Sequence, residues 1–447
     1  MFKLSGKLKL ISIIFLALGA IGMVYGFISA PSTVDEVKDI LATQHTEVTH
    51  HAEKSEIHLA DAIHGEGFTE KAMESTQHAE EGHGGLHKTL HQLQARPWAA
   101  AFVAAFFFFM LALGALVFQA VQYASQSGWS PVLYRVFEGI TSYVLPGSII
   151  VALLVIFAGT HFFPWQNPEH VAEDHILQIK SLYLNLPFFI VRVIIYLLIW
   201  NGYRYFQRKH SLAQATATDY THYRKNFKAS IWFLILFAAT ESTMGWDWFM
   251  SMTPHWFSAL FAWYIFASIF VSGITTIAII TVFLKRRGHL DFVNDSHLHD
   301  LAKYIFAFSI FWTYLWFAQF MLIWYANIPE EAAHFVMRIQ HYNGLFFGML
   351  VLNFVFPILI LMNSDFKRIP WFVEFVGIFL LIGHYIAIYL LVVPSTVGTY
   401  GTFGVPEIGS ILFFLGLFIL VVGRGLGQTS LRPKGDPFIK ESENYHY

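Results

Sequence analysis

Long apolar runs separated by short polar segments dominate this chain, and the pattern alone predicts a membrane protein. Ten runs stand out: 8–29, 98–124, 133–159, 182–206, 229–252, 256–284, 301–326, 335–362, 371–393 and 408–422. Most are long enough to cross a hydrocarbon core of about 30 Å at roughly 1.5 Å per residue. The runs do not alternate in polarity, so helices and not barrel strands are expected. The first run follows Lys3, Lys7 and Lys9 in the manner of a signal peptide. Its apolar stretch is too long for one, and it reads as a retained anchor.

The segments between the runs orient the array. Lys and Arg gather at the N-terminus, in the connection holding Arg204, Arg208, Lys209, Arg224, Lys225 and Lys228, in Lys285–Arg287, in Lys367–Arg368 and in the tail. With ten crossings these all fall on one side, and the positive-inside rule places both termini in the cytoplasm. Composition agrees with the class. Hydrophobic residues make up 55% and charged residues 13%, and the mean hydropathy is +0.51. A net charge of −2 argues against a nucleic-acid partner. Cysteine is absent, which excludes disulfides, thiolate zinc, iron–sulfur clusters and thioether-attached haem in this chain.

One segment breaks the pattern. Residues 31–97 form a polar outer loop carrying His45, His50, His51, His58, His64, His78, His83, His87 and His91 among many Glu residues. It reads either as a metal-binding segment, since neutral imidazole is a common ligand, or as a solvated, partly helical segment that docks on a partner. No metal site is assigned from it.

The chemistry is expected at ionisable groups within the runs, which are costly in lipid. Glu138, Arg192, Glu241 and Asp247 form one set, and Arg338, His341, Glu374 and His384 form another. Glu138 should be neutralised by Arg135 one turn earlier. Arg192 and Glu241 are expected at similar depth and to pair. Arg338 and His341 are expected to share a helix face. Each set is either a proton path or a group of buried ion pairs. Pro146, Pro187 and Pro357 should interrupt their helices. Trp246, Trp248, Trp256, Trp263, Trp316 and Trp324 cluster near the outer ends of their runs, chiefly as an interfacial belt. A quinone headgroup would suit the same region, with Asp247, His255, Trp248 and Trp256 as its contacts.

Two stretches resemble a known family. They are Asp247-Trp248-Phe249-Met250-Ser251-Met252-Thr253-Pro254-His255-Trp256-Phe257-Ser258 and Gln319-Phe320-Met321-Leu322-Ile323-Trp324-Tyr325-Ala326-Asn327-Ile328-Pro329-Glu330-Glu331. Both resemble the membrane subunits of alternative complex III, the second of them in particular the ActF-type subunit. These subunits are similar to the NrfD-like membrane anchor of polysulfide reductase. The resemblance implies an all-α integral membrane subunit of a bacterial quinol:cytochrome c oxidoreductase. It implies two four-helix bundles (98–252 and 253–395) with an anchor at 1–30 and a last helix and tail at 396–447. Its implied partners are a periplasmic iron–sulfur protein, c-type cytochromes, a sister NrfD-like subunit, membrane lipid and a terminal oxidase. Its implied cofactor is a non-covalent quinone, menaquinone or ubiquinone, and its implied location is the inner membrane. A b-type cytochrome using His341 and His384, or a secondary transporter, are the alternatives that the residues leave open.

Overall fold

The computed structural model describes residues 2–42 and 83–446. Among them the chain is helical with no strand. Eleven helices matter: α1 Gly6–Ile28, α2 His83–Ala124, α3 Pro131–Phe157, α4 Leu186–Gln214, α5 Thr221–Trp248, α6 Phe261–Arg286, α7 Asp295–Ala326, α8 Pro329–His341, α9 Asn343–Leu361, α10 Pro370–Thr396 and α11 Val405–Gly427. Nine of these are long and apolar enough to span a membrane. The helix α5 is as long but carries Arg224, Lys225, Lys228, Glu241 and Asp247. It lies antiparallel to α4, with Arg192 bonded to Asp247 at one end and Asn226 to the Gln207 carbonyl at the other. Counting α5, the described helices make ten passes.

The central element is α2. Its apolar stretch has no polar face, and its spanning portion is wholly buried, as expected for a helix apolar all round. Beside it α3, α4 and α5 form one four-helix group, and α6, α7, α9 and α10 form a second. The two meet where α2 crosses α6 at Gly114 and Gly273. A Cβ on either glycine would overlap the opposing backbone, so the crossing depends on the missing side chains. The helices α1 and α11 pack against each other. Gly19, Gly22 and Gly26 face Phe413, Gly409 and Pro406.

Both termini lie at the same end. Phe2 packs edge-on to His289, and the tail reaches back through Ser442, which accepts from the Val132 N–H, and Tyr445, whose carbonyl accepts from Asn294. This end also carries the Lys- and Arg-rich connections and is called the basic end below. The opposite end holds the segment after α3, the turn between α5 and α6, α8, and the start of α11.

Two local expectations differ, the unbroken eighth run and the interruption at Pro187, while Pro357 does interrupt its helix. The eighth run is two helices, α8 and α9, broken at Tyr342. A π-turn at Val351–Val355 precedes Pro357, which lacks the N–H that would bond the Asn353 carbonyl. Pro187 sits in the first turn of α4, where a missing N–H costs nothing, so it does not interrupt that helix. An interior proline that does matter is Pro394 in α10. The stretch Asn327-Ile328-Pro329 makes the sharp exit from α7: Asn327 is left-handed (φ 48°) and Pro329 opens α8.

Candidate functional site

The expected buried charges gather chiefly in three places. The first is the end of α4 and α5 opposite the basic end. Asn185 caps α4 by accepting from the Phe188 N–H, which fixes where the helix begins and leaves Arg192 and Tyr196 one turn apart on its inner face. Arg192 grips Asp247 with two bonds, Nε to Oδ2 at 2.7 Å and Nη2 to Oδ1 at 2.9 Å. Tyr196 donates to the same carboxylate at 2.7 Å, and Nη1 of Arg192 donates to the Tyr183 carbonyl at 3.0 Å. The guanidinium lies 4.0 Å from the Tyr183 ring centre. Asp247 is fully enclosed.

The expected Arg192–Glu241 pair is therefore corrected. Glu241 sits six residues before Asp247, about 9 Å farther along the helix axis, and the guanidinium is already committed to Asp247 and the Tyr183 carbonyl. Glu241 is buried with Oε1 unpartnered.

The second place is the basic end of the first bundle. Arg135 donates to Glu138 at 2.7 Å, as expected from their spacing. Arg208 and Ser211 of α4 close on the same carboxylate, with Gln207 at 3.4 Å. Arg208 also reaches Thr429 of the tail. A cavity of about 20 Å³ adjoins this cluster, lined by Tyr123, Tyr134, Arg135 and Ser211 together with Asp436 of the tail. Burial pushes the Asp436 carboxyl up to about 6, although the Phe438 N–H pulls it down.

The third place is the end of the second bundle opposite the basic end. Arg338 is buried and bonds neutral acceptors: the Leu390 carbonyl at 2.8 Å, the His334 carbonyl at 2.6 Å and Ser395 Oγ at 3.1 Å. The Leu390 carbonyl is available because Pro394, four residues on, has no N–H to give it. Arg338 and His341 do not share a face. The former is enclosed and the latter exposed at the end of α8.

The remaining residues scatter. Glu374 pairs with Arg286 at 2.5 Å on the basic end, half-buried. His384 is fully enclosed, edge-on to Trp312, with both ring nitrogens unpartnered. His341, by contrast, is exposed at the end of α8. His255 bonds Asp174 at 2.6 Å on the surface. Slight burial pushes the Asp174 carboxyl up, but His255 and the Ile176 and Leu177 N–H groups outweigh it and hold it below its usual range.

The four expected quinone contacts have different surroundings. Asp247 is committed to Arg192, and Trp248 is packed against Trp200 and Tyr196. His255 faces outward, and Trp256 stacks on His334 in the second bundle at 3.9 Å. Of the six clustered tryptophans, Trp246, Trp263 and Trp324 are exposed in the manner of a belt, while Trp248 and Trp256 are interior. Of the histidine-rich segment, His45, His50, His51, His58, His64 and His78 lie outside the described residues. His91 bonds the Thr160 carbonyl and stacks on His161.

Sequence reasoning overlooked neutral polar residues. Asn353, next to Gly383 and one residue from His384 in space, has both amide atoms unpartnered. A lone Asn in an apolar run was the available signal. A crevice of about 800 Å³, almost wholly apolar, opens between the α1/α11 pair and α2, α6 and α10, with Phe107, Ile378 and Phe418 among its walls.

Fold and buried charge define an all-α, multi-pass integral membrane protein with ionisable groups enclosed in its helix bundles. No family model matches the chain, and no curated protein matches it.

Proposed function

We propose that this chain is a non-haem membrane subunit of a bacterial respiratory quinol:cytochrome c oxidoreductase of the alternative complex III type. It holds periplasmic redox subunits and carries part of a proton path. The subunit assignment is supported by the two stretches quoted above, Asp247–Ser258 and Gln319–Glu331. Trp256 of the first and Gln319 of the second line one small cavity beside Arg338. Electrons travel through the partners, since no cysteine is present to hold a cluster here. The basic end faces the cytoplasm and the opposite end faces the periplasm.

The observation that carries the proton role is Glu241. Of the four expected carboxylates, Glu138, Asp247 and Glu374 are held by arginines. Glu241 has no ion pair among the described residues and lies between the Glu138 and Asp247 levels, free to exchange a proton without breaking a salt bridge. Quinone and lipid tails fit the apolar crevice better than the Asp247 region.

The test uses the complex in proteoliposomes. Glu241→Gln is expected to lower quinol-driven proton movement severalfold while the subunit assembles with its c-type cytochromes. Normal proton movement in this variant removes Glu241 from the path. Failure of the wild-type chain to co-purify with any c-type cytochrome removes the subunit assignment. A secondary transporter is the second reading, favoured by the broken eighth pass with its π-turn beside the unpartnered Asn353. Solute uptake by the purified chain alone would establish it.

A further inference from the structure

Three arginines are buried among the described residues: Arg135, Arg192 and Arg338. Arg135 meets Glu138 and Arg192 meets Asp247. Arg338, only 4% exposed, meets no carboxylate there. Its bonds go to two backbone carbonyls and one hydroxyl, with a longer contact of 3.5 Å to the Leu391 carbonyl. Those acceptors take four of the five guanidinium N–H donors and leave one on Nη1 unused. An enclosed cation without a countercharge is unfavourable by several kcal/mol.

The cavity beside it suggests what supplies the countercharge. It measures about 30 Å³ and is lined by Arg338, Trp256, Gln319, His334, Tyr264 and Trp316, with apolar residues completing the wall. The Trp256 Nε1–H is enclosed and has no partner, and neither has His334 Nδ1. Trp256 is held in place by its stack on His334, with rings 8° from parallel. The indole N–H can only donate. A guanidinium with one N–H to spare and a tryptophan with an orphan indole N–H therefore line one small space, and its complement is an acceptor with negative charge. Size narrows the class. Pockets for drug-sized ligands run to roughly 300–1,000 Å³, whereas a single water needs about 10–15 Å³. A quinone ring or a phosphate ester does not fit, and a single halide-sized ion does.

We propose that Arg338 and Trp256 form a binding site for a small monovalent anion, chloride in the first instance, at the end of the second bundle opposite the basic end. The ion completes the charge balance that Asp247 and Glu138 provide for the other two buried arginines. The site stands independently of the electron-transfer role, because it rests only on the unpaired cation, the orphan donor and the volume.

The experiment uses the full chain, purified in detergent and exchanged from chloride into gluconate at constant ionic strength. Chloride and bromide are titrated back while the thermal unfolding midpoint is followed. A saturable rise with both halides is expected. Trp256→Phe keeps the stack and removes the N–H, and should weaken the halide midpoint by about three- to tenfold. Arg338→Gln should abolish the response. If it fails to fold, Trp256→Phe still decides the matter. Diffraction from bromide-grown crystals should place an anomalous peak within hydrogen-bond distance of Arg338 and Trp256 Nε1. The proposal is overturned by a midpoint indifferent to halide, or by bromide-grown crystals that show no anomalous peak at the site (a water only).

Discussion

The same residue type serves two purposes at the buried arginines, and the difference lies in what each one faces. Arg192 has a two-point match to Asp247, with Tyr196 on the same carboxylate. Removing one partner leaves the other enclosed and uncompensated, so Asp247→Ala should cost about 3–5 kcal/mol. The double variant Arg192→Met, Asp247→Leu should cost clearly less. Chemical denaturation of the purified chain would separate the two cases, and equal losses would show that the pair's charge is not what matters. Glu241→Gln, which breaks no bond to Oε1, should stay within about 1 kcal/mol of wild type in the same measurement. The sequence pointed to Glu138, Arg192, Glu241 and Asp247 because charge stands out in an apolar run. It could not show which carboxylate Arg192 would choose. That depends on a six-residue difference in depth and on the reach of one side chain, and neither is written in the spacing. Asn353 and Trp256 Nε1 were invisible for another reason: a neutral polar group draws notice only when its missing partner is seen.

At the scale of elements, apolar run length located the passes well, because a span must reach from one interface to the other. Breaks inside a span were harder to read. Pro187 and Pro357 look alike in sequence, yet one opens a helix and the other follows a π-turn. Helix contacts were harder still, because glycine permits close approach without requiring it. Gly114 and Gly202 show the contrast. A Cβ at Gly114 would strike the Ile269 carbonyl oxygen, whereas one at Gly202 would meet nothing within 4 Å. Gly114→Val should therefore impair folding or abolish it, while Gly202→Ala should be neutral or stabilising by up to about 1 kcal/mol. Yield of folded, monodisperse protein in detergent gives the comparison. Equal yields would mean that α2 and α6 can separate without consequence.

At the scale of the molecule, the tail is part of the fold. Asp436 seats beside the Glu138 cluster with its carboxyl raised from 3.8 to about 6. Because the folded value is the higher one, this group favours the docked tail most when protonated. That contribution is full below about pH 4 and is lost as pH rises through 6, by up to roughly 3 kcal/mol. Tail docking should accordingly loosen between pH 5 and 7.5 by an amount that Asp436→Asn removes. Hydrogen exchange of the 436–443 amides, corrected for intrinsic rates, measures this. Protection independent of pH in the wild type would refute it.

The pairing of α1 with α11 has a consequence for biogenesis. Membrane helices are released to the bilayer in the order they are made, so α1 leaves the ribosome first and its glycine-lined contact surface arrives last. Until α11 is synthesised, Gly19 and Gly22 lack their partner, and α1 is held only where Gly26 and Phe27 touch Pro97 and Trp98 of α2. The first helix is thus parked, and the last one closes the molecule like a clasp. A chain cut in the loop after α1 should then reassemble when the two pieces are co-expressed. A chain truncated before α11 should leave its first helix held only at its contact with α2 and open to quality-control proteases.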